Sequence, residues 1–345
     1  MSWDCNTLGR GKQEPSKSIW YSLLGMGEAS IRKPLWLPRD VESTTVAKFI
    51  NYVSKKHKIR LDTYDDLQKW SVHPDTIADF WRDAYIFLGL SGTDLPVGPS
   101  IVRQVRTTAA TCDSANADAG SDPQSSPLMY PPPTFFPTEK INFAEITLRQ
   151  CRQDGVVIHF AREGVDGIEK ITFADLKERV RQAYDALVSS GIQPGDKVAV
   201  VMSNSVNTIV LCLATLAIGA VWSSTSCESG VKSIWERYDQ IKPKIIFADD
   251  ACVYAGKLIK LEERIASWSH LLAKENDGLC DVVIVPYCNT PFQLDKVSHG
   301  TSWQEFIRRG RGRKLAFQLL PFSHPAFILF SSGTVRGRTV ILSRD

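Results

Sequence analysis

The sequence predicts an α/β fold: a mainly parallel sheet flanked by helices, preceded by a small, mostly helical module. Two observations carry this reading. From Ile141 onward, short apolar runs alternate with helical stretches over about 200 residues, the grammar of strand–helix–strand units. Before them, between Leu37 and Leu90, apolar residues recur at helical spacing.

Residues 1 to about 34 are mostly polar and read as an entry segment. Val46, Phe49, Ile50 and Val53 then share one face of a helix, and a second helix is expected over 75–88 around Phe80, Trp81, Tyr85 and Ile86. Trp70, Phe80, Trp81, Tyr85 and Phe87 make this region dense in rings. A nucleic-acid stacking surface would need basic neighbours, and the charges here are mixed, so the rings are assigned to a core. Thr107 to Ser126 is a low-complexity run without apolar period and reads as a surface insertion, followed by the stiff Pro131-Pro132-Pro133. The expected division is a helical module at 1–105, a linker at 106–138 and an α/β domain at 139–345.

Within that last part, Val156–Phe160 and Gly167–Phe173 form a hairpin, and Thr172-x-x-Asp175 caps a helix running through Val188. Pro194-Gly195-Asp196 turns into a strand at Val198–Met202, and Asn204 or Ser205 caps the helix carrying Ile209–Leu216. Ala220–Trp222 is a short strand, and Ser223–Ser229 reads as a loop. A helix at 231–241, a strand at Ile245–Ala248, a charged helix at Gly256–Leu272, a strand at Val282–Val285, a short helix at Trp303–Arg308 and a strand at Ala326–Phe330 complete the pattern.

Composition excludes several function classes. With 41 basic and 38 acidic side chains, the net charge of +3 gives no reason for a nucleic-acid or acidic-membrane partner. The eight cysteines form no Cys-x-x-Cys pair and no zinc spacing with histidine, so buried reduced thiols are expected. The start of the chain lacks the basic and apolar regions of a secretory signal. The stretch Ile209–Trp222 is 14 residues, short of the ~20 needed to cross a bilayer. A cytoplasmic protein is expected.

The chemistry is carried by Ile328-Leu329-Phe330 running into Ser331-Ser332-Gly333-Thr334. A small, hydroxyl-rich turn after a buried strand can surround phosphate oxygens with N–H groups and hydroxyls. Taken alone, the tetrapeptide also fits an ordinary surface turn. It is not a Walker A loop, because three residues separate Gly333 from Gly337 and an Arg follows. Gly25-Met26-Gly27 has no preceding strand and no third glycine, so a dinucleotide fingerprint is absent. Cys227 has no basic neighbour to activate it, Arg308-Arg-Gly-Arg-Gly-Arg313-Lys314 reads as a solvated loop, and His324 reads as structural.

Ile328 to Thr334 resembles the start of the phosphate loop of the adenylate-forming acyl-CoA synthetases, Ser-Ser-Gly-Thr-Thr-Gly-x-Pro-Lys. Gly191-Ile-Gln-Pro-Gly195-Asp196-Lys197-Val198-Ala199 is similar to that family's entry to a core strand. Ala220-Val-Trp-Ser-Ser-Thr-Ser-Cys227, Gln240-Ile-Lys-Pro243-Lys244 and Tyr254-Ala-Gly256-Lys257 are similar to its acetyl-CoA and acetoacetyl-CoA synthetase branch. So is Asp62-Thr-Tyr-Asp-Asp-Leu67-x-x-Trp70-Ser71-Val72. Pro34-Leu-Trp36-Leu-Pro38 followed by Phe49-Ile-Asn-Tyr-Val53 points to the acetoacetyl side of the branch. The resemblance spans about Pro34 to Thr334 and implies the amino-terminal subdomains of an adenylate-forming enzyme.

The resemblance implies an acid–thiol ligase that makes an acyl-adenylate from acetoacetate and ATP with Mg²⁺, then passes the acyl group to CoA. Ser331, Ser332, Gly333 and Thr334 would hold ATP phosphates. Lys257 either contacts a CoA phosphate or is a solvated surface lysine. Val335, Arg336 and Thr339 depart from the family loop, which has a hydroxyl residue, a glycine and a lysine there. The carboxyl-terminal half and lid of the family are not in this sequence, so the chain by itself is expected not to adenylate. Its alternatives are association with a full-length ligase, a remnant without function, or a ligase of acetate or another short acid.

Overall fold

The computed structural model describes residues 39–90, 98–102, 133–151, 153–330 and 340–344. The chain divides into two compact units, residues 1–89 and 90–345.

The first unit contains α1 (Thr45–His57), α2 (Tyr64–Val72) and α3 (Ile77–Phe87). The Thr44 side chain accepts from Ala47 N at the start of α1, and Thr63 with Asp66 forms a capping box on α2. Phe49, Val53 and Leu67 form the core, packed by Trp70, Phe80 and Phe87, with Phe80 edge-on to Phe49. Trp70, Phe80 and Phe87 therefore pack the core as expected and Tyr85 is buried, while Trp81 stays exposed. The sequence reading missed α2, although the Thr63-x-x-Asp66 cap was its signal. Asp83 is buried beneath α1 and is bonded by Lys56 and His57, each at 2.5 Å.

The second unit opens with β1 (Ile101–Val102), β2 (Thr134–Phe135), β3 (Lys140–Ile141) and α4 (Phe143–Gln150). The hairpin of β4 (Val156–Phe160) and β5 (Glu169–Thr172) leads into α5 (Phe173–Ser189). Next come β6 (Lys197–Val201), α6 (Val206–Ile218), β7 (Val221–Thr225), α7 (Val231–Ile241) and β8 (Ile245–Asp249). The hairpin of β9 (Ala251–Tyr254) and β10 (Lys257–Lys260) precedes α8 (Glu262–Glu275) and β11 (Asp281–Val285). β12 (Gly300–Ser302), α9 (Trp303–Arg308), β13 (Leu320–Pro321), β14 (Pro325–Phe330) and β15 (Val340–Arg344) follow.

The main sheet has seven strands in the order β12-β11-β8-β6-β7-β14-β15, all parallel except the antiparallel β14–β15 pair. Because side chains alternate across a strand, each central strand feeds two cores. Val198, Val200, Ile245 and Phe247 face α5 and α6, while Ala199, Val201, Ile246 and Ala248 face α7 and α8. This explains the nearly unbroken apolar runs that marked the strands in the sequence.

Three expectations are corrected. Ser223–Thr225 continues β7 rather than forming a loop, and the Ser223 hydroxyl donates to the Ile328 carbonyl at 3.0 Å. The charged helix begins at Glu262, not Gly256, because Lys257–Lys260 alternates with β9 in a hairpin. The basic run at 308–314 is not merely solvated. Arg309 forks onto Asp281 at 2.6 and 2.8 Å, and buried Asp185 accepts from Gly312 N, Arg313 N and the Arg313 guanidinium. His324 is structural, its Nε2 lying 3.0 Å from the Gly219 carbonyl.

Candidate functional site

β6 lies between β7, which follows it in the chain, and β8, which the chain reaches only by passing back over β6. Strand order therefore reverses between β6 and β8. In open parallel sheets, ligands bind in the crevice beyond the carboxyl ends of strands at such a reversal.

Two segments meet there. Met202-Ser203-Asn204-Ser205 leaves β6 and starts α6, with the Ser205 side chain accepting from Thr208 N. Asp249 ends β8, and Asp250 follows it. Ser203 N donates to Asp249 Oδ2 at 2.6 Å. Asp249 is fully buried, and its Oδ1 has no hydrogen-bond partner among the described residues. Burial pushes this carboxyl up to about 7, the Ser203 donor pulls it down, and the charges of Asp250 and Arg162 oppose one another.

Asp250 does different work. Its Oδ1 accepts from Ala251 N, Tyr287 N and Cys288 N, and its Oδ2 from Thr290 N and the Thr290 hydroxyl. That set pins the loop after β11 to the end of β8. The loop presents Tyr287, whose carbonyl accepts from Arg162 and whose ring lies 4.8 Å beneath the same guanidinium.

Two clefts open on this crevice. The first, of about 530 Å³, lies between the β4–β5 hairpin, the start of α6 and the loop after β11. The second, of about 390 Å³, is bounded by Ser203, Asn204, Thr225, Ser226 and Val253. Tyr287 belongs to the walls of both. Cys227 and Cys252 also face the second cleft. Burial, with Cys227 alongside, pushes the Cys252 thiol up to about 12, and burial likewise raises Cys288. Protonated thiols of this kind are poor nucleophiles.

Lys257 opens β10, is exposed, and pairs in register with Tyr254 of β9, the strand whose Cys252 and Val253 line the second cleft. The β9–β10 turn is tied to the β4–β5 hairpin by Gly256 N donating to Glu163. Ser331, Ser332, Gly333 and Thr334 lie outside the described residues. Their flanks are described: Phe330 of β14 pairs with Val340 of β15. The sequence reading missed Ser203, Asp249, Arg162 and Tyr287. Two adjacent acids closing an apolar strand were the only signal, and such pairs also mark simple turns.

The comparisons agree with the fold. Residues 148–335 match the family profile described as AMP-binding enzyme. The chain is 32% identical over 305 residues to acetoacetyl-CoA synthetase of Macaca fascicularis, covering 87% of this chain and 41% of that protein. It is 30% identical over 315 residues to malonamoyl-CoA synthetase of Penicillium aethiopicum, covering 87% and 39%. Acetoacetyl-CoA synthetase from Streptomyces lividans superposes with a TM-score of 0.72 at 23% identity over 90% of this chain and 43% of that one, which shows the fold. The chain thus spans about two-fifths of the length of the curated relatives it matches. The resemblance read from the motifs is therefore to the right group, and with more than half of its residues inside the matching profile the chain belongs to the AMP-binding enzyme family.

Proposed function

We propose that this chain forms the amino-terminal part of an acid–thiol ligase acting on acetoacetate. Acetoacetate and ATP give acetoacetyl-adenylate and pyrophosphate, and the adenylate then passes its acyl group to CoA with release of AMP. The observation that carries this is the 32% identity over 305 residues to an acetoacetyl-CoA synthetase. Ser331, Ser332, Gly333 and Thr334 surround the ATP phosphates, and Lys257 meets a CoA phosphate at the edge of the second cleft. Mg²⁺ arrives with ATP. Among the described residues no cluster of His, Cys, Asp or Glu is arranged to hold a metal, so no carboxylate of this chain is assigned to it.

The test is calorimetric titration of the chain with CoA and with MgATP, each with and without acetoacetate. Lys257→Glu should weaken CoA binding about tenfold without changing the melting temperature. CoA affinity indifferent to that change would remove Lys257 from the site. The double change Val335→Thr with Arg336→Gly should tighten ATP binding, because it restores a hydroxyl and a glycine beside Thr334.

A second reading is favoured by Val335 and Arg336 themselves, which depart from the family loop: a chain that binds a full-length ligase or CoA and performs no chemistry. Co-purification with a full-length ligase would select it, and no such association under gentle lysis would remove it. Malonamate belongs in the same assay, given the 30% identity to a malonamoyl-CoA synthetase.

A further inference from the structure

The first cleft takes no part in the proposed ligase chemistry, yet it has the size and lining of a small-molecule site. At about 530 Å³ it falls within the range of ligand pockets. Its charged wall is unusual in being only partly neutralised. Arg162 stacks on Tyr287 and donates to its carbonyl, with no carboxylate in ion-pair distance among the described residues. Arg179 lies 3.5 Å from Glu169 and also acts on the Asp175 carboxylate one turn earlier, but all three side chains meet water, so these pairings are weak.

The third element of the wall is the start of α6. This helix has 13 residues and no acidic residue in its first turn. The Ser205 side chain occupies Thr208 N, which leaves the N–H groups of Val206 and Asn207 without a partner among the described residues. Both residues line the cleft. Free N–H groups at a helix start favour an anion, and two guanidiniums beside them favour one with several acceptor oxygens.

The opposite wall is apolar. Val165 and Ile168 stand on the turn of the β4–β5 hairpin, 51% and 61% exposed, over a floor that includes Phe160 and Pro286. Exposed aliphatic side chains at the lip of a cleft gain contact only if something apolar enters it. Asp166 and Glu169 of the same hairpin also line the cleft; both are exposed to water, which screens their charge, and Glu169 is the partner of Arg179.

We propose that this cleft binds a phosphate monoester carried on a compact apolar body, with the phosphate against Arg162, Arg179 and the start of α6, and the body beneath Val165 and Ile168. Lys257 is not among the residues that line this cleft, and the ligase reading gives those residues no role, so the proposal stands or falls independently of it.

The test uses the full chain and phenyl phosphate as probe, with phenylacetate and inorganic phosphate as controls. Phenyl phosphate should bind saturably, and each control about tenfold more weakly. Hydrogen exchange should slow on binding in 160–170, 204–208 and 285–290. Arg162→Gln and, separately, Arg179→Gln should each weaken binding about tenfold. Arg179 is exposed, so its variant keeps the fold even if loss of the Arg162–Tyr287 contact disturbs the other. No saturable binding, protection confined to other segments, or affinity unchanged in Arg179→Gln would overturn the proposal. Phenylacetate binding as tightly as phenyl phosphate would overturn the phosphate assignment.

Discussion

Ser203 N donates to Asp249 Oδ2 at 2.6 Å, joining the ends of β6 and β8 where the strand order reverses. One backbone donor does not compensate a carboxyl buried to this depth. The acid titrates at about 7 in the folded chain, because burial disfavours its charge. Unfolded, an aspartate titrates near ~3.9. Between those values the folded state holds the extra proton, so this group lowers stability as pH rises from about 4 to about 7, and the loss is complete above that. Asp249→Asn removes the dependence. Urea midpoints should show the variant more stable by roughly 1–3 kcal/mol at pH 8, with a smaller gap at pH 5. A gap that does not widen with pH would contradict this.

Arg309 and Asp281 titrate in the opposite sense. Burial works against the Asp281 carboxylate, but the Arg309 fork and the Thr301 hydroxyl outweigh it and hold its pKa below the usual range. Its stabilisation is present above the unfolded value and is lost as pH falls through the folded one. Arg309→Ala leaves a buried charge unpaired and should cost about 2–4 kcal/mol in denaturant unfolding near neutral pH. Arg309→Lys should recover only part, having lost the two-pronged geometry.

Asn142 ties three segments together. Its Oδ1 accepts from Glu145 N at the start of α4, and its Nδ2 lies 2.8 Å from the Leu216 carbonyl and 2.9 Å from that of Gln318. Asn142→Ala should cost about 1–3 kcal/mol by thermal or urea unfolding, since it removes a cap and the amide donor that links α4 to the end of α6 and to Gln318. Asn142→Asp should also destabilise, because it keeps the cap and loses the donor.

Gly219 ends α6 with φ +82°, and a Cβ there would lie 2.5 Å from Leu320 Cδ1. Gly219→Ala combines left-handed strain with that collision and should cost roughly 1–3 kcal/mol. Pairing it with Leu320→Ala separates the two terms. If the double variant is no more stable than expected from adding the single changes, the collision is not the cause.

The sheet was legible because Val198–Val201 and Ile245–Ala248 are buried on both faces and so read as apolar runs. β10 was not, because Lys257-Leu258-Ile259-Lys260 puts charges at both ends of a surface hairpin, a pattern equally fit for the helix that follows. Ser331, Ser332, Gly333 and Thr334 were singled out through a motif, and they lie outside the described residues. The crevice was not found, because Ser203, Asp249 and Arg162 are brought together only by the crossing of strands distant in sequence. No spacing along the chain encodes that meeting.

Tyr287 forms part of the wall of both clefts, and Asp250 fastens its loop to the end of β8. A shared, tethered wall imposes reciprocity. Any occupant of one cleft that displaces Tyr287 changes the affinity of the other by some factor, and the second occupant must change the first by that same factor. Two chemically unrelated ligands would then report on each other through one tyrosine, without touching.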